Sequence, residues 1–381
     1  MRSILLRVAT ALCALATAVV TAPTPLSPPT GSERYEVEAD SEVPRLIIYY
    51  QTTHDSKTGR PISMLPLITE KNIALTHLIV CSFHIDPNGS VLRLNDYPVD
   101  HPHFYTLWNE TAVIQDTHVR VMGMIGGEAA GSFSTQTLDG SDEAFARYYP
   151  QLRKAIVAYN LEGIDLDVEQ SMSQAGITRL VRRLRKDFGE DFLITLAPVA
   201  TALRGGANLS GFGYLDLADA VGDQIDFYNA QFYNGFGDMD SPEPYEAVIA
   251  QGWSPLQIVA GQLTSPSNGG GFTTTAHLNA TVHALVKRYG NIGGIFGWEY
   301  FNSAPGGTAK PWAWAQDMSS ILRPNGLPKL AITTAIATKL VAAWKDTILG
   351  SIGAPAGSQI NTVVPGSMLE PDVDYMAMVN A

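Results

Sequence analysis

The sequence predicts an α/β barrel of the (β/α)8 type, and three observations favour this fold class. Eight short apolar runs alternate with amphipathic stretches over about 280 residues, a typical length for such a barrel. The runs are continuously apolar, as expected of parallel strands covered by helices. The glycine-rich dinucleotide fingerprint of the main rival, a doubly wound open sheet, is missing after the first run, where Tyr49-Tyr50-Gln51-Thr52-Thr53-His54 is found.

The eight runs are short, and several are rich in Val, Ile and aromatic residues, which suits buried strands. In chain order, the predicted strands are Leu46–Tyr50, Leu75–Phe83, Val119–Ile125, Gly163–Val168, Phe192–Ala197, Ile225–Phe232, Gln257–Leu263 and Gly293–Trp298.

Helical spacing appears between these strands. Between the fourth and fifth strands, apolar residues from Ile177 to Phe188 recur at helical intervals, basic residues take the other face, and Gly189 follows as a stop signal. Further helices are expected at about residues 142–159 and 311–322. The connection between strands seven and eight, about residues 264–292, is short.

Both ends of the chain differ from this pattern. Residues 1–22 have a short basic start, an apolar run and small residues at the end, as in a secretory signal, which predicts a secreted, extracellular protein. Residues 23–43 form a Pro/Ser/Thr-rich leader, 44–325 the predicted barrel, and 326–381 a C-terminal extension that could be processed. One more helix is expected at 331–348.

Composition limits the partners. With 45% hydrophobic and 16% charged residues the chain is globular, and the net charge of −12 disfavours nucleic acid. Loss of residues 1–22 would remove two arginines and no acid, giving −14. No second apolar run is long enough to span a membrane, so we expect no membrane partner. We also expect a monomer.

The cysteines and the glycosylation sequons are consistent with a secreted protein. Cys13 leaves with the signal, and Cys81 lies in an apolar run, where a buried thiol is expected. Four sequons are possible glycan sites, at Asn88, Asn109, Asn208 and Asn279.

The fourth strand carries the most informative pattern. Because side chains alternate along a strand, Asp165, Asp167 and Glu169 point to one face and the intervening apolar residues to the other. Three carboxylates inside a barrel raise one another's pKa, which suits an enzyme that needs a protonated carboxyl group near neutral pH. Glu169 comes last, at the C-terminal mouth where barrel active sites are built.

Two alternatives to this interpretation are a polar surface strand and a metal site. An edge strand would not explain the apolar alternate face. A metal site usually adds histidines or further oxygen ligands, and the eight histidines do not cluster in sequence. We therefore expect no metal and no cofactor.

At this strand the sequence resembles glycoside hydrolase family 18, whose signature is D-x-x-D-x-D-x-E. Glu162 stands where the family usually has Asp, and its role is open. Met124-Ile125-Gly126-Gly127 resembles the family's S-x-G-G motif, with Met in place of Ser. Gln231-Phe232-Tyr233-Asn234 and Trp298 resemble the motifs of strands six and eight. The resemblance covers about residues 45–325. Family members with deep grooves often carry an inserted α+β domain between strands seven and eight. The connection at residues 264–292 is too short for one, so the resemblance implies a shallow, open cleft.

The resemblance implies a retaining, substrate-assisted mechanism. Glu169 is then the catalytic acid, Asp167 holds the N-acetyl group, Tyr233 orients it, and Asp165 supports Asp167 as a coupled pair. The implied sugar-binding residues are Trp298, Gln231, Asn234, Gly126, Gly127, Tyr49 and Met124.

Two substrates share this chemistry: chitin and the chitobiose core of N-glycans. The segments Ile48–Asp55, Glu162–Gln170, Gly297–Ser303 and Tyr375–Ala381 are similar to secreted fungal endo-β-N-acetylglucosaminidases. This similarity predicts cleavage of N-glycans, with an endo-acting chitinase as the alternative. An inactive sugar-binding lectin on the same barrel is a third possibility, disfavoured because such proteins typically lose the acid that Glu169 provides.

Overall fold

The structure, a computed structural model, describes residues 44–326 and Lys339. The predicted signal, the leader, Cys13 and nearly all of the C-terminal extension, with its expected helix at 331–348, lie outside the described residues. Within residues 44–326, no helix has the length and apolarity needed to cross a bilayer.

Eight parallel strands close into a barrel surrounded by helices, which confirms the predicted fold class. The first strand pairs with both the second and the last. Each observed boundary lies within two residues of the predicted one. The barrel strands are β1 (Arg45–Tyr50), β2 (His77–His84), β5 (Arg120–Gly126), β6 (Gly163–Asp167), β7 (Leu193–Leu196), β8 (Phe227–Gln231), β9 (Ile258–Leu263) and β10 (Gly294–Trp298). The other two strands, β3 (Arg93–Leu94) and β4 (Tyr97–Pro98), form a hairpin.

This hairpin was not predicted, because two-residue strands carry too little alternation to detect. It extends β2 beyond the barrel, with Asn95 at its turn in the left-handed conformation (φ 48°). The Asn95 side chain donates to the carbonyl oxygens of Gln51 and Cys81 at 3.1 and 3.4 Å. The hairpin is thereby fixed to the C-terminal mouth of the barrel.

The helices are α1 (Pro66–Thr69), α2 (Tyr105–Ile114), α3 (Asp142–Ala158), α4 (Gln174–Phe188), α5 (Tyr214–Val221), α6 (Glu243–Ile249), α7 (Thr275–Tyr289) and α8 (Ala313–Leu322). The sequence explains α4 well. Its N-cap Ser173 accepts from the Gly176 amide, and Gly189 ends it at φ 78°. Ile177 and Leu180 lie on its buried face, as the spacing predicted.

The apolar core has two layers. The larger lies between the strands and the helices. The smaller fills the barrel interior and consists of Ile47, Tyr49, Ile79, Cys81, Met122, Met124, Phe227, Tyr233, Val259, Leu263 and Phe296. Cys81 is a buried free thiol, as expected.

The connection from β9 to β10 holds a short 3-10 turn (Pro266–Asn268), a glycine-rich loop and α7. The prediction that this connection carries no inserted α+β domain is therefore confirmed.

The two ends of the described barrel meet at the face opposite the mouth. The Arg323 guanidinium donates to the Pro44 carbonyl oxygen at 3.1 Å. The Arg45 amide donates to the Gly293 carbonyl oxygen at 3.0 Å.

Candidate active site

The acidic residues of β6 line the barrel interior, as their alternation predicted. Asp165 and Asp167 are buried, at 0% and 5% exposure, whereas Ile164 and Leu166 pack in the outer core. Glu169 follows the end of β6 at the mouth and is only partly buried. The three carboxyl groups therefore run from the closed interior towards solvent.

Asp165 lies at the closed end, within a cage of hydrogen-bond donors. The Tyr49 hydroxyl donates to Oδ2 at 2.6 Å, while the Thr195 hydroxyl and the Asn229 amide donate to Oδ1 at 2.5 and 3.0 Å. Burial raises the pKa of Asp165, and the three donors counteract this because they stabilise the charged form. The cage thus supports an ionised Asp165.

Asp167 has no comparable set of donors. Burial first, and then the charges of Glu169 and Asp165, raise its pKa well above the ordinary value. Because Asp165 has three donors, the proton that the coupled pair retains belongs on Asp167. Asp167 is then a neutral group that can donate a hydrogen bond.

Gln231 joins Asp167 to Glu169. Its side-chain nitrogen lies 3.2 Å from Asp167 Oδ1, 3.1 Å from Glu169 Oε1 and 3.0 Å from the Ala197 carbonyl oxygen. Burial raises the pKa of Glu169, which the Gln231 hydrogen bond lowers and Glu128 raises further. A carboxyl group with a raised pKa at a solvent-facing mouth can act as a general acid.

Aromatic rings surround the acids. Tyr233 is buried (6% exposed) and packs edge-on against Phe296 at 6.4 Å. Trp298, partly buried, lies edge-on to Tyr49 at 5.7 Å. Met124 is completely buried and belongs to the floor of the site. These side chains form an apolar wall that continues to the mouth.

Gly126 and Gly127 allow the backbone of β5 to approach Asp167. A Cβ on Gly126 would come within 2.0 Å of the Asp167 carbonyl oxygen, and the residue has φ 111°. The Gly127 amide donates to that oxygen at 2.9 Å. Close packing therefore requires glycine at 126. At 127 it is the φ of 83° that favours glycine, since a Cβ there would meet nothing nearer than the Asp167 carboxylate, at 3.7 Å.

Asn234 binds the backbone of the loop that follows β9 at the mouth of the barrel. Its side-chain oxygen accepts from the Gly270 backbone amide at 2.9 Å, and its backbone amide donates to the Gly270 carbonyl oxygen at 2.8 Å. These bonds hold the glycine-rich loop after β9, and Phe272 of this loop packs against the inner core. Phe272 was not identified from the sequence, since a single loop aromatic carries no pattern.

Glu299 was likewise not identified from the sequence. It is 8% exposed, and its carboxylate accepts from the Gln51 amide (3.2 Å), the Thr52 amide (2.8 Å) and the Thr52 hydroxyl (2.8 Å). Glu299 follows Trp298, so these bonds fix the end of β10 to the segment after β1. We call this junction the Glu299 seam.

Glu162, whose role the sequence left open, lies at the start of β6. Its carboxylate accepts from the Val121 amide at 2.9 Å and lies 3.5 Å from the Arg120 guanidinium. These contacts are far along β6 from Glu169 and serve to join β5 to β6. Among the described residues, no group of three or more His, Cys, Asp or Glu side chains is arranged to hold a metal ion.

The fold and this site have counterparts in known proteins. A fungal endo-β-N-acetylglucosaminidase from glycosyl hydrolase family 18 is 62% identical, with a TM-score of 0.73 over 74% of this chain and 99% of that chain. The chitinase ChiC from Aspergillus fumigatus is 46% identical, with a TM-score of 0.66 over 72% of this chain and 98% of that one.

Curated relatives are more distant. Chitinase 1 of Rhizopus niveus is 28% identical over 52% of this chain, and Endochitinase 37 of Trichoderma harzianum is 27% identical over 48%. The matches span 40% and 59% of those two proteins, so only part of each is represented here. The model of the glycosyl hydrolases family 18 matches residues 45–265, more than half of the chain. By this match, and by the carboxylate strand that lies within it, the chain belongs to glycosyl hydrolase family 18.

Proposed function

We propose that this protein hydrolyses the GlcNAc-β-1,4-GlcNAc bond in the chitobiose core of N-glycans, with retention of configuration. The observation that carries the proposal is the arrangement of Asp165, Asp167 and Glu169, in which one nitrogen of Gln231 contacts the last two. The 62% identity with a fungal endo-β-N-acetylglucosaminidase, over nearly the whole of that chain, favours the N-glycan substrate.

In the proposed first step, Glu169 donates its proton to the glycosidic oxygen as the bond to the anomeric carbon breaks. The carbonyl oxygen of the substrate's own N-acetyl group attacks that carbon from the opposite side and forms an oxazolinium ring. Protonated Asp167 and the Tyr233 hydroxyl lie on the wall where this group would be held. The acetamide is then oriented for attack, which replaces the enzyme nucleophile of other glycosidases.

In the second step, ionised Glu169 takes a proton from water, and the resulting hydroxide opens the oxazolinium at the anomeric carbon. Two inversions give net retention, and Glu169 regains its proton. Asp165, held by Tyr49, Thr195 and Asn229, supplies a fixed negative charge beneath the developing positive charge.

An endo-acting chitinase is the second candidate. It is favoured by the 46% identity with ChiC, and by the curated relatives named chitinases. The same residues would take the same roles, because chitin contains the same linkage.

The test is to incubate the purified protein with a high-mannose glycoprotein and, separately, with chitin oligomers, and to follow both by mass spectrometry. Loss of the glycan with one N-acetylglucosamine left on asparagine is the expected result. Cleavage of chitin oligomers alone would establish the chitinase instead. Binding without cleavage of either substrate would indicate a lectin.

We also propose that the chain is secreted, on the basis of its N-terminal sequence. Recovery of the protein from the culture medium with residues 1–22 absent would support this, whereas an intact N-terminus inside the cell would contradict it.

A further inference from the structure

Four aromatic side chains form a cluster at the mouth of the barrel, which we call the aromatic ridge: Tyr97, which is exposed, and His54, His101 and His103, which are partly buried. His54 stacks on His103 with ring centres 3.7 Å apart and planes 24° apart. Tyr97 stacks on His101 at 4.6 Å and 20°. Tyr97 is one of the most exposed large hydrophobic side chains among the described residues, at 42%.

Three rings lie against Tyr97: His101, His103 and Phe104, the last edge-on at 6.3 Å. The distances from Tyr97 to His101 and to His103 are 4.6 and 4.9 Å, and the two imidazoles are 6.5 Å apart. These distances describe a triangle with a nearly right angle at Tyr97, so the imidazoles do not enclose the ring between them. Tyr97, at 42% exposure, therefore presents part of its side chain to solvent.

Hydrogen bonds hold this surface in place. The Thr53 hydroxyl lies 2.9 Å from His54 Nδ1 and 3.4 Å from His103 Nε2. The His103 amide donates to His101 Nδ1 at 3.2 Å. Asn95 fixes the hairpin that carries Tyr97 to the barrel mouth. A surface that is rigid before binding loses little conformational entropy when it binds.

The chemistry of the ridge suits a sugar ring. Burial lowers the pKa of His54 to about 4 and also lowers that of His103, so both imidazoles are neutral near neutral pH. Pyranose rings have an apolar face of C–H groups that packs on aromatic rings, and hydroxyl groups at the edge that need polar partners. Asp96, exposed beside Tyr97 in the same turn, offers a carboxylate to such hydroxyls.

The ridge adjoins the active site through the Glu299 seam. Thr52 is bound to Glu299, the neighbour of Trp298. His54 follows Thr52 by two residues, a chain distance of at most about 7 Å between their Cα atoms. The ridge and Trp298 therefore lie on the same end of the barrel, one on each side of the seam.

We propose that the aromatic ridge is a distal sugar-binding subsite, in which Tyr97 stacks against a pyranose ring of the substrate beyond the two N-acetylglucosamines that share the cleaved bond. This inference rests on the proposed function and adds that large glycans are bound more tightly than small ones. The structural alternative is that the rings only pack the loops together, in which case Tyr97 has no effect that depends on substrate size.

The test compares two glycopeptides, one with a high-mannose glycan and one trimmed to the chitobiose core and its first mannose, using Tyr97→Ala. A lost aromatic contact predicts a fall in kcat/KM of about 3- to 10-fold on the large glycan and no change on the trimmed one. Tyr97→Phe keeps the ring and should behave as the wild type. Tyr105→Ala removes a tyrosine of similar exposure (38%) outside the ridge and should have no effect.

Equal losses on both glycopeptides, or no loss on either, would overturn the subsite. Failure of the proposed function has a different signature, because the wild-type protein would then cleave neither glycopeptide. In that case long and short chitin oligomers replace the two glycopeptides. The same size-dependent loss in Tyr97→Ala would support the subsite, and a size-independent result would refute it.

Discussion

Removal of a single hydroxyl group tests the cage around Asp165. Tyr49 and Tyr50 are adjacent, buried, and on opposite faces of β1. The Tyr49 hydroxyl donates to the Asp165 carboxylate at 2.6 Å, whereas the Tyr50 hydroxyl donates to the backbone carbonyl oxygen of Ile62 at 2.6 Å. Tyr49→Phe and Tyr50→Phe therefore each remove one hydroxyl donor. The acceptor that loses this donor is titratable in Tyr49→Phe and non-titratable in Tyr50→Phe.

The expected magnitudes follow from the acceptors. A hydrogen bond to a charged group contributes about 1.5–3 kcal/mol, and one to a neutral group about 0.5–1.5 kcal/mol. Tyr49→Phe leaves Asp165 Oδ2 without its donor, while Thr195 and Asn229 still serve Oδ1. Near neutral pH we expect it to lower the free energy of unfolding by about 2–3 kcal/mol, and Tyr50→Phe by about 1 kcal/mol.

The pH dependence separates the two variants further. Burial raises the pKa of Asp165 in the folded state, so ionisation of this group costs stability as the pH rises through that pKa. Tyr49→Phe removes a donor that opposes this effect, which raises the folded-state pKa further. The loss in Tyr49→Phe should therefore grow from acid to neutral pH, while the loss in Tyr50→Phe should stay constant.

Urea unfolding at a series of pH values measures both variants, and kcat reports whether the cage also supports catalysis. We expect kcat to fall in Tyr49→Phe and to remain near the wild-type value in Tyr50→Phe. Equal losses of unfolding free energy in the two variants at every pH would refute the assignment of a charged Asp165.

Three further predictions concern the acid, the glycine pair and the Glu299 seam. Glu169→Gln should lower kcat by about 10²- to 10⁴-fold with glycan binding retained, as steady-state kinetics and calorimetry would show. The control is Glu70→Gln, which should be active because Glu70 lies outside the site, although burial also raises the pKa of its carboxyl group. A Glu169→Gln variant with wild-type kcat would show that Glu169 is not the catalytic acid. Gly126→Ala should lower the free energy of unfolding by about 2–5 kcal/mol, measured in urea. Gly59→Ala should lower it much less, because Gly59 also has a positive φ (68°) but an added Cβ would have no atom within 4 Å. Glu299→Ala should lower kcat/KM and reduce the free energy of unfolding by about 2–4 kcal/mol. Glu299→Gln should keep most of the kcat/KM and most of the unfolding free energy of the wild type. A Gln variant as impaired as the Ala variant would mean that the charge of Glu299 matters more than its hydrogen bonds.

The fold could be predicted because parallel barrel strands are buried on both faces and so appear as continuous apolar runs. The carboxylate row could be predicted because alternation along one strand is a local property. Gly163–Asp167 carries two of the three acids on one face with no reference to the rest of the chain.

Contacts between distant segments could not be predicted in the same way. The partners of Glu299 lie 247 residues away at Thr52, and no spacing rule connects them. Thr195 and Asn229 did leave a signal, since each is a polar residue within an apolar run, and Asn229 has the same parity as the inward residue Gln231. Nothing in the sequence assigned them to Asp165, because the registers of β6 with β7 and of β7 with β8 set those contacts.

The bond between Arg323 and Pro44 has a practical consequence for handling the protein. The two ends of the described barrel leave it side by side, on the face opposite Glu169 and the aromatic ridge. A bead, a surface or a fusion partner attached through either end is therefore expected to leave the catalytic mouth turned towards the medium. Under the proposed function, immobilisation through either end should accordingly reduce the cleavage of bulky glycoproteins no more than it reduces the cleavage of short substrates.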